Sequence, residues 1–311
     1  MTASAVAIRP ARPASPRRPG PVRRAQRENT VGWAFASPAL ILIAAFGLVP
    51  VVWSLVLSFQ NNDLTGTSSW VGVKNYKRLM SDPLFAASIR RTLTYSALFV
   101  PITIIGSLLL AAALNRQLRF IGFYRMAVFV PVVTSTVATA FVFNWLLEPD
   151  YGLVNGGLHA MGLPTQGFFT DPGQALYVIL AMTIWGWIGF GVIIYLAALQ
   201  AIPRELLEAA QLDGCSPWKC FWKVQVPQLV PATTFLVVWL TINALQLFDE
   251  IYVTTHGGPV HATTVVVYYL YQQAFQFFHG GYAAALAYVL FLVILVLTVI
   301  ELRVSRRWAA Q

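Results

Sequence analysis

Charged side chains make up only 11% of this 311-residue chain, yet Glu205, Glu208, Asp213, Lys219 and Lys223 crowd into one short stretch. Its only two cysteines, Cys215 and Cys220, lie there as well. A spacing of five with no histidine nearby is not a metal-ligand pattern and predicts two reduced thiols. None of the four lysines (74, 77, 219 and 223) follows a glycine. The chain therefore has no G-x-x-x-x-G-K-[ST] phosphate loop and does not bind ATP in that manner. His159, His256, His261 and His279 form no H-E-x-x-H and no helical metal pair. His256 and His261 flank Gly257-Gly258-Pro259-Val260 and read as turn residues. There is no G-x-S-x-G elbow. No catalytic residue, metal site or bound cofactor is assigned.

The elements around that polar stretch are strongly apolar, with 57% hydrophobic residues overall. About 20 apolar residues cross a bilayer core, and six runs are long enough: 33–59, 92–114, 126–147, 174–199, 229–248 and 282–300. They predict an all-α integral membrane protein of six transmembrane helices over 31–311. Prolines 38, 50, 101 and 131 fall inside spans, where neighbouring helices can satisfy the freed carbonyls. These runs hold no Asp, Glu, Lys or Arg, so the ionisable relay of a proton-coupled pump is missing. Residues 262–278 are short and carry Gln272, Gln273 and Gln276, which predicts an interfacial or re-entrant segment. Seven of the 21 Lys/Arg lie in the first 27 residues, among five prolines. Residues 1–30 are therefore expected to be a disordered basic arm near anionic lipid, with no nucleic-acid partner. The first apolar run is longer than a signal-peptide core and no small-residue cleavage site follows it. With both termini cytoplasmic, sixteen Lys/Arg fall inside and five outside, in keeping with the positive-inside rule. Residues 200–228, which hold the charged stretch, are then a cytoplasmic loop.

The loop resembles the EAA loop of binding-protein-dependent ABC importer permeases. Glu208-Ala209-Ala210 is followed by three residues, Gly214, nine residues and then Val224-Gln225-Val226-Pro227. That is the family spacing, with Val in place of Ile and Leu. Three other stretches narrow the resemblance to the maltose and glycerol-phosphate type: "WVGVKNYKRLMSDPLF" (70–85), "FDEIYVTTHGGP" (248–259) and "GYAAALAYVLFL" (281–292). The resemblance implies a type I importer permease in the inner membrane. It would be non-catalytic and pair with a second homologous permease, a dimer of ATPase subunits that bind the ATP, and an extracytoplasmic solute-binding protein. Glu208, Ala209, Ala210, Asp213, Gly214, Val224, Val226 and Pro227 would form the ATPase-coupling surface. Ala209 and Ala210 favour helix and leave a slim surface; Glu208 could meet a partner arginine. Gly214 would permit a turn of positive φ between two short helices, and Pro227 would stop the second. Glu205 is expected on a neighbouring face.

Permease pathways are lined by polar and aromatic side chains turned away from lipid. Thr183, Trp185, Trp187, Phe190 and Tyr195 on the fourth span, and Asn243, Gln246 and Phe248 on the fifth, are the candidates. The same resemblance implies that Thr183, Trp185, Trp187, Phe190, Asn243 and Gln246 bind a sugar, polyol or glycerol-phosphate compound. A permease for another small solute, a self-sufficient secondary transporter and a scaffold that uses the loop only for docking stay open, but the secondary transporter leaves the loop spacing unexplained and lacks a coupling-ion carboxylate.

Overall fold

The computed structural model describes residues 21–63, 66, 68–116 and 119–309. Two units meet between Ser54 and Leu55. The first holds helix α1 (Pro21–Ile43), a π-helical turn (Ala44–Leu48) and the start of α2 (Val49–Ser58), whose last four residues belong to the second. Residues 21–30 are thus helical where composition predicts a disordered arm. The straight-chain residues of this stretch, among them Gln26 and Glu28, favour helix. Residues 1–20 of the expected arm lie outside the described residues. Gly32–Ser58 is a 27-residue apolar span whose most apolar window has no buried residue. Trp33, Phe35 and Phe46 are exposed, as suits a helix that meets lipid or another chain.

In the second unit the end of α2 is followed by a small antiparallel hairpin, β1 (Gln60–Asn62) against β2 (Ser68–Trp70), Gln60 facing Trp70. Then come α3 (Lys74–Met80) and α4 (Pro83–Leu114). Helix α4 starts nine residues before the apolar run does, because Asp82 caps it and Pro83 occupies its first turn. The expected third span is broken into α5 (Ile121–Val133) and α6 (Thr136–Leu146), bent by 102°. Pro131 removes a backbone donor near the end of α5, and Thr134 and Ser135 turn extended, at ψ 137° and 130°. The Thr134 hydroxyl donates to the Val130 carbonyl at 2.8 Å. After α7 (Leu153–Ala160) and α8 (Ala175–Gln200), the polar loop carries α9 (Arg204–Leu212), α10 (Pro217–Cys220), a π-helical turn (Phe221–Gln225) and α11 (Val226–Gln228). Helices α12 (Val230–Leu245), α13 (Asp249–Thr254), α14 (Val266–Tyr271), a π-helical turn (Gln272–Gln276) and α15 (Gly280–Ala309) complete the chain. Among the described residues, five helices are long and apolar enough to span, and six if the bent pair counts as one. Residues 262–278 hold only α14 and its π turn, too short to cross. Gln273 is buried within the protein and meets His279 Nδ1 at 2.9 Å.

Helix α4 packs along α8, with α12 against both. Tyr95, Phe99 and Ala111 meet Ile179, Val192 and Tyr195 in one core with Leu236 and Leu240. Close approach depends on two glycines. A Cβ at Gly191 would overlap Ser107, and one at Gly189 would overlap the Val128 backbone of α5. Helix α12 is tied to α15 by Thr241 Oγ1 donating to Glu301 Oε1 at 2.7 Å and by a Thr234–Ser305 hydroxyl pair. The helices therefore outlast the apolar windows. Arg90 and Arg91 lie inside α4 and Glu301 inside α15, so the expectation of spans without ionisable groups does not hold for whole helices. Asp82 joins three elements. Its Oδ2 accepts from the hydroxyls of Tyr269 (2.5 Å) and Tyr282 (2.6 Å), its Oδ1 from the Leu84 N–H (2.9 Å).

Candidate functional site

Two features of the second unit could do work: a pair of cavities among α4, α5, α6, α8 and α12, and the surface of α9. The larger cavity has about 280 Å³ and is lined by Thr134, Thr136 and Thr139 from the broken span, Thr183, Trp187 and Phe190 from α8, and Trp239 from α12. The smaller, about 170 Å³, adds Tyr95, Asn243, Gln246, Phe248 and Asp249. Thr136, Thr183, Trp187 and Glu250 line both. The break in the third span is what brings its hydroxyls to this wall, since a straight helix over 126–147 would carry them past it. Aromatic rings form the apolar side. Trp187 meets Phe190 edge-on at 5.9 Å between centroids, and Phe190 lies 6.0 Å from Trp239.

Of the side chains singled out from sequence, Thr183, Trp187, Phe190, Asn243, Gln246 and Phe248 line these cavities. Trp185 does not. It is 43% exposed on the outer side of α8 and packs 5.6 Å from Phe143. Trp185 and Trp187, two residues apart on a helix, cannot share a face. Tyr195 does not line them either: it is fully buried in the core with its hydroxyl donating to Thr233 Oγ1 at 3.0 Å. Two of the three amide and hydroxyl side chains among the six that line them are already engaged locally: Thr183 donates to the Ile179 carbonyl (2.8 Å), Asn243 to that of Trp239 (2.7 Å). Sequence inspection missed Thr136, Trp239, Tyr95 and Glu250. Glu250 lies just past the apolar window of the fifth span, within the "FDEIY" stretch, where its burial has no local signature.

The second feature is built by local rules. Helix α9 points Leu207 at the core, while Glu205, Glu208, Ala209 and Leu212 are exposed along one stripe. Leu212 is 89% exposed. Glu205 thus shares the face of Glu208 rather than a neighbouring one, as three-residue spacing on a helix requires. The helix ends in a Schellman turn: the Cys215 N–H donates to the Ala210 carbonyl and the Gly214 N–H to that of Gln211, both at 3.0 Å. Gly214 takes φ 77°, the left-handed value that spacing anticipated. Asp213 and Pro227 are exposed, Ala210, Val224 and Val226 half-buried, with Val226 packed on the core.

Pro227 does not stop the second helix. The chain pauses at Leu229 (φ −86°, ψ 0°) and resumes in α12. A proline ring clashes with the carbonyl four residues back, and the π turn directly upstream widens the helix at that point. The Ala44–Leu48 turn precedes Pro50 by the same interval. Exposed Trp218 and Trp222 extend the apolar part of the surface beyond α9. Behind α9, toward the end of α4, lies a cavity of about 590 Å³, so the helix is not packed solidly against the body. Cys215 and Cys220 are free thiols. Hydrogen bonding with the Cys215 thiol, burial and the neighbouring sulfur push the Cys220 pKa up to about 11.

Residues 89–309 match the family described as "Binding-protein-dependent transport system inner membrane component". The chain is 38% identical to the lactose transport system permease protein LacF of Rhizobium radiobacter over 284 residues, 88% of this chain and 94% of that one. It is 34% identical to the sn-glycerol-3-phosphate transport system permease protein UgpA of Yersinia pestis over 272 residues, 87% and 92% of the two chains. Among solved structures, a chain of a bacterial alginate ABC transporter, in complex with an alginate pentasaccharide-bound periplasmic protein, superposes with a TM-score of 0.82. The sequence identity is 25%, over 92% of this chain and 97% of that one.

Proposed function

The chain belongs to the binding-protein-dependent transport system inner membrane components, and from that premise we propose that it is the permease subunit of an ABC importer for a sugar or related polyhydroxy compound. One observation supports the power input more than any other: α9 presents Glu208, Ala209 and Leu212 outward on a helix closed by a Schellman turn. A separate ATPase docks there, with a partner arginine meeting Glu208. This chain is not itself a catalyst and holds no cofactor; the ATP belongs to the ATPase dimer. A second permease completes the pathway, and a solute-binding protein delivers the substrate from outside. Both termini and the 200–228 loop face the cytoplasm. ATP-driven closure of the ATPases moves α9, which the cavity behind it leaves free to shift, and rocks the two permeases between inward- and outward-facing states. Thr183, Trp187, Phe190, Asn243 and Gln246 hold the substrate on its way through.

Reversing the charge at Glu208 tests this reading. A carboxylate–arginine contact contributes about 1.5–3 kcal/mol, or ten- to more than a hundredfold in association. Glu208→Lys is expected to release the ATPase during purification and abolish uptake, without changing capture of sugar by the binding protein. Glu205→Lys, one turn toward the helix start, is expected to be milder. Asp150→Lys, an exposed reversal between α6 and α7, is expected to be silent. A Glu208→Lys complex that keeps its ATPase and transports normally overturns the assignment.

A further inference from the structure

The two cavities share one ionisable side chain, and no motif assigns it a role. Glu250 is only 9% exposed and lines both. Tyr95 lines the smaller cavity with it. No lysine, arginine or histidine lines either cavity. Asp249 adds a second carboxylate to the smaller one. On the same wall, α6 begins at Thr136 with no side chain capping its N–H groups.

From this arrangement we infer that Glu250 is a specificity-determining residue that selects neutral, hydroxyl-rich solutes against anionic ones. The inference rests on the permease reading above and narrows its substrate class. A buried carboxylate offers acceptors only; the start of α6 and the Thr136 hydroxyl offer donors, while Thr183, whose proton goes to the Ile179 carbonyl, offers a further acceptor. A sugar hydroxyl both donates and accepts, so it satisfies the two sides of the wall together. The Trp187, Phe190 and Trp239 rings then cover the apolar C–H face of the same solute. A phosphate or uronate group has acceptors facing acceptors: it would bring a negative charge beside Glu250 at low dielectric, with no cation from this chain to balance it. The relatives are named for lactose, which is neutral, and for sn-glycerol 3-phosphate, which is not. The geometry aligns this chain with the neutral kind.

The complete importer, with its partner permease, ATPase and binding protein, can be reconstituted in proteoliposomes. ATP-driven uptake is then measured for lactose, raffinose, sn-glycerol 3-phosphate and an oligouronate. A neutral probe is expected to be carried and the anionic ones not. Glu250→Gln, which keeps shape but removes charge, is expected to lower turnover at saturating sugar about tenfold. The ATPase should still co-purify, and Glu250→Asp should recover most of the rate. Uptake of an anionic probe, or of no neutral one, overturns the inference whether or not the variants assemble. So does a Glu250→Gln complex running at the wild-type rate, or a Glu250→Asp complex as slow as Glu250→Gln. If no ATPase co-purifies with the wild-type permease, the permease reading itself has failed.

Discussion

Asp82 shows how much one side chain can organise in a chain this poor in charge. Its carboxylate takes hydrogen bonds from the Leu84 and Phe85 N–H groups and from the Tyr269 and Tyr282 hydroxyls. It thereby caps α4 and ties α4 to α14 and α15, while Arg78 stacks over the Tyr282 ring at 4.5 Å. Burial alone would raise its pKa, but the tyrosine and backbone donors outweigh that and hold it below the usual carboxylate value. A depressed folded pKa contributes stability that is present above the unfolded pKa of about 3.9 and is lost as pH falls through the folded one. Asp82→Asn is therefore expected to destabilise the purified permease by about 1–2 kcal/mol at pH 7, a modest figure because the site is half-exposed. The gap in thermal midpoint between variant and wild type should narrow as pH drops below about 4. An equal gap at both pH values would mean that shape, not charge, holds the junction.

At the level of elements, the turn after α9 is the most constrained piece of the loop. A Cβ at Gly214 meets nothing within 4 Å, so any substitution there acts through backbone conformation and not through a clash. A β-branched residue at positive φ is strained by roughly 1–2 kcal/mol, whereas asparagine visits that region readily. Gly214→Val is expected to cut uptake sharply while the permease still reaches the membrane; Gly214→Asn should keep most of it. Comparing uptake per membrane-inserted permease for the two checks this, and full transport by Gly214→Val would show that the turn does not set the docking helix. The 102° break in the third span is a further case in which a local backbone defect, not an apolar pattern, sets the direction of a helix.

For the molecule as a whole, the distribution of Lys and Arg sets the expected sidedness. Ala160 and Val260 are exposed between spans, as is Phe120, and Cys215 is half-buried in the loop. In a background without other cysteines, a thiol at 160 or 260 should label from outside, and one at 120 or 215 only after permeabilisation. Outside labelling at 215 would reverse the orientation and remove the loop from the reach of an ATPase. The Gly32–Ser58 span is 27 residues long and apolar enough to cross a bilayer by itself.

Composition and order alone determined the number of spans, the polar loop between the fourth and fifth, and the positive turn at Gly214. These follow from interactions a few residues long: a bilayer's thickness, the spacing of a helix turn, the φ preference of glycine. Tertiary structure decided what depends on neighbours distant in sequence. It turned Trp185 outward while Trp187 faces the cavity, buried Tyr195 in the core, and placed Thr136, just past the local break in the third span, on the cavity wall. It also drew Asp82 to two tyrosines 187 and 200 residues away. Glu250 is the sharpest case. In sequence it is an unremarked acidic residue beyond an apolar run; enclosed by helices α4, α6, α8 and α12, it becomes the one glutamate on the wall of both cavities. Burial is a property of what surrounds a residue, and that is settled only when the helices pack.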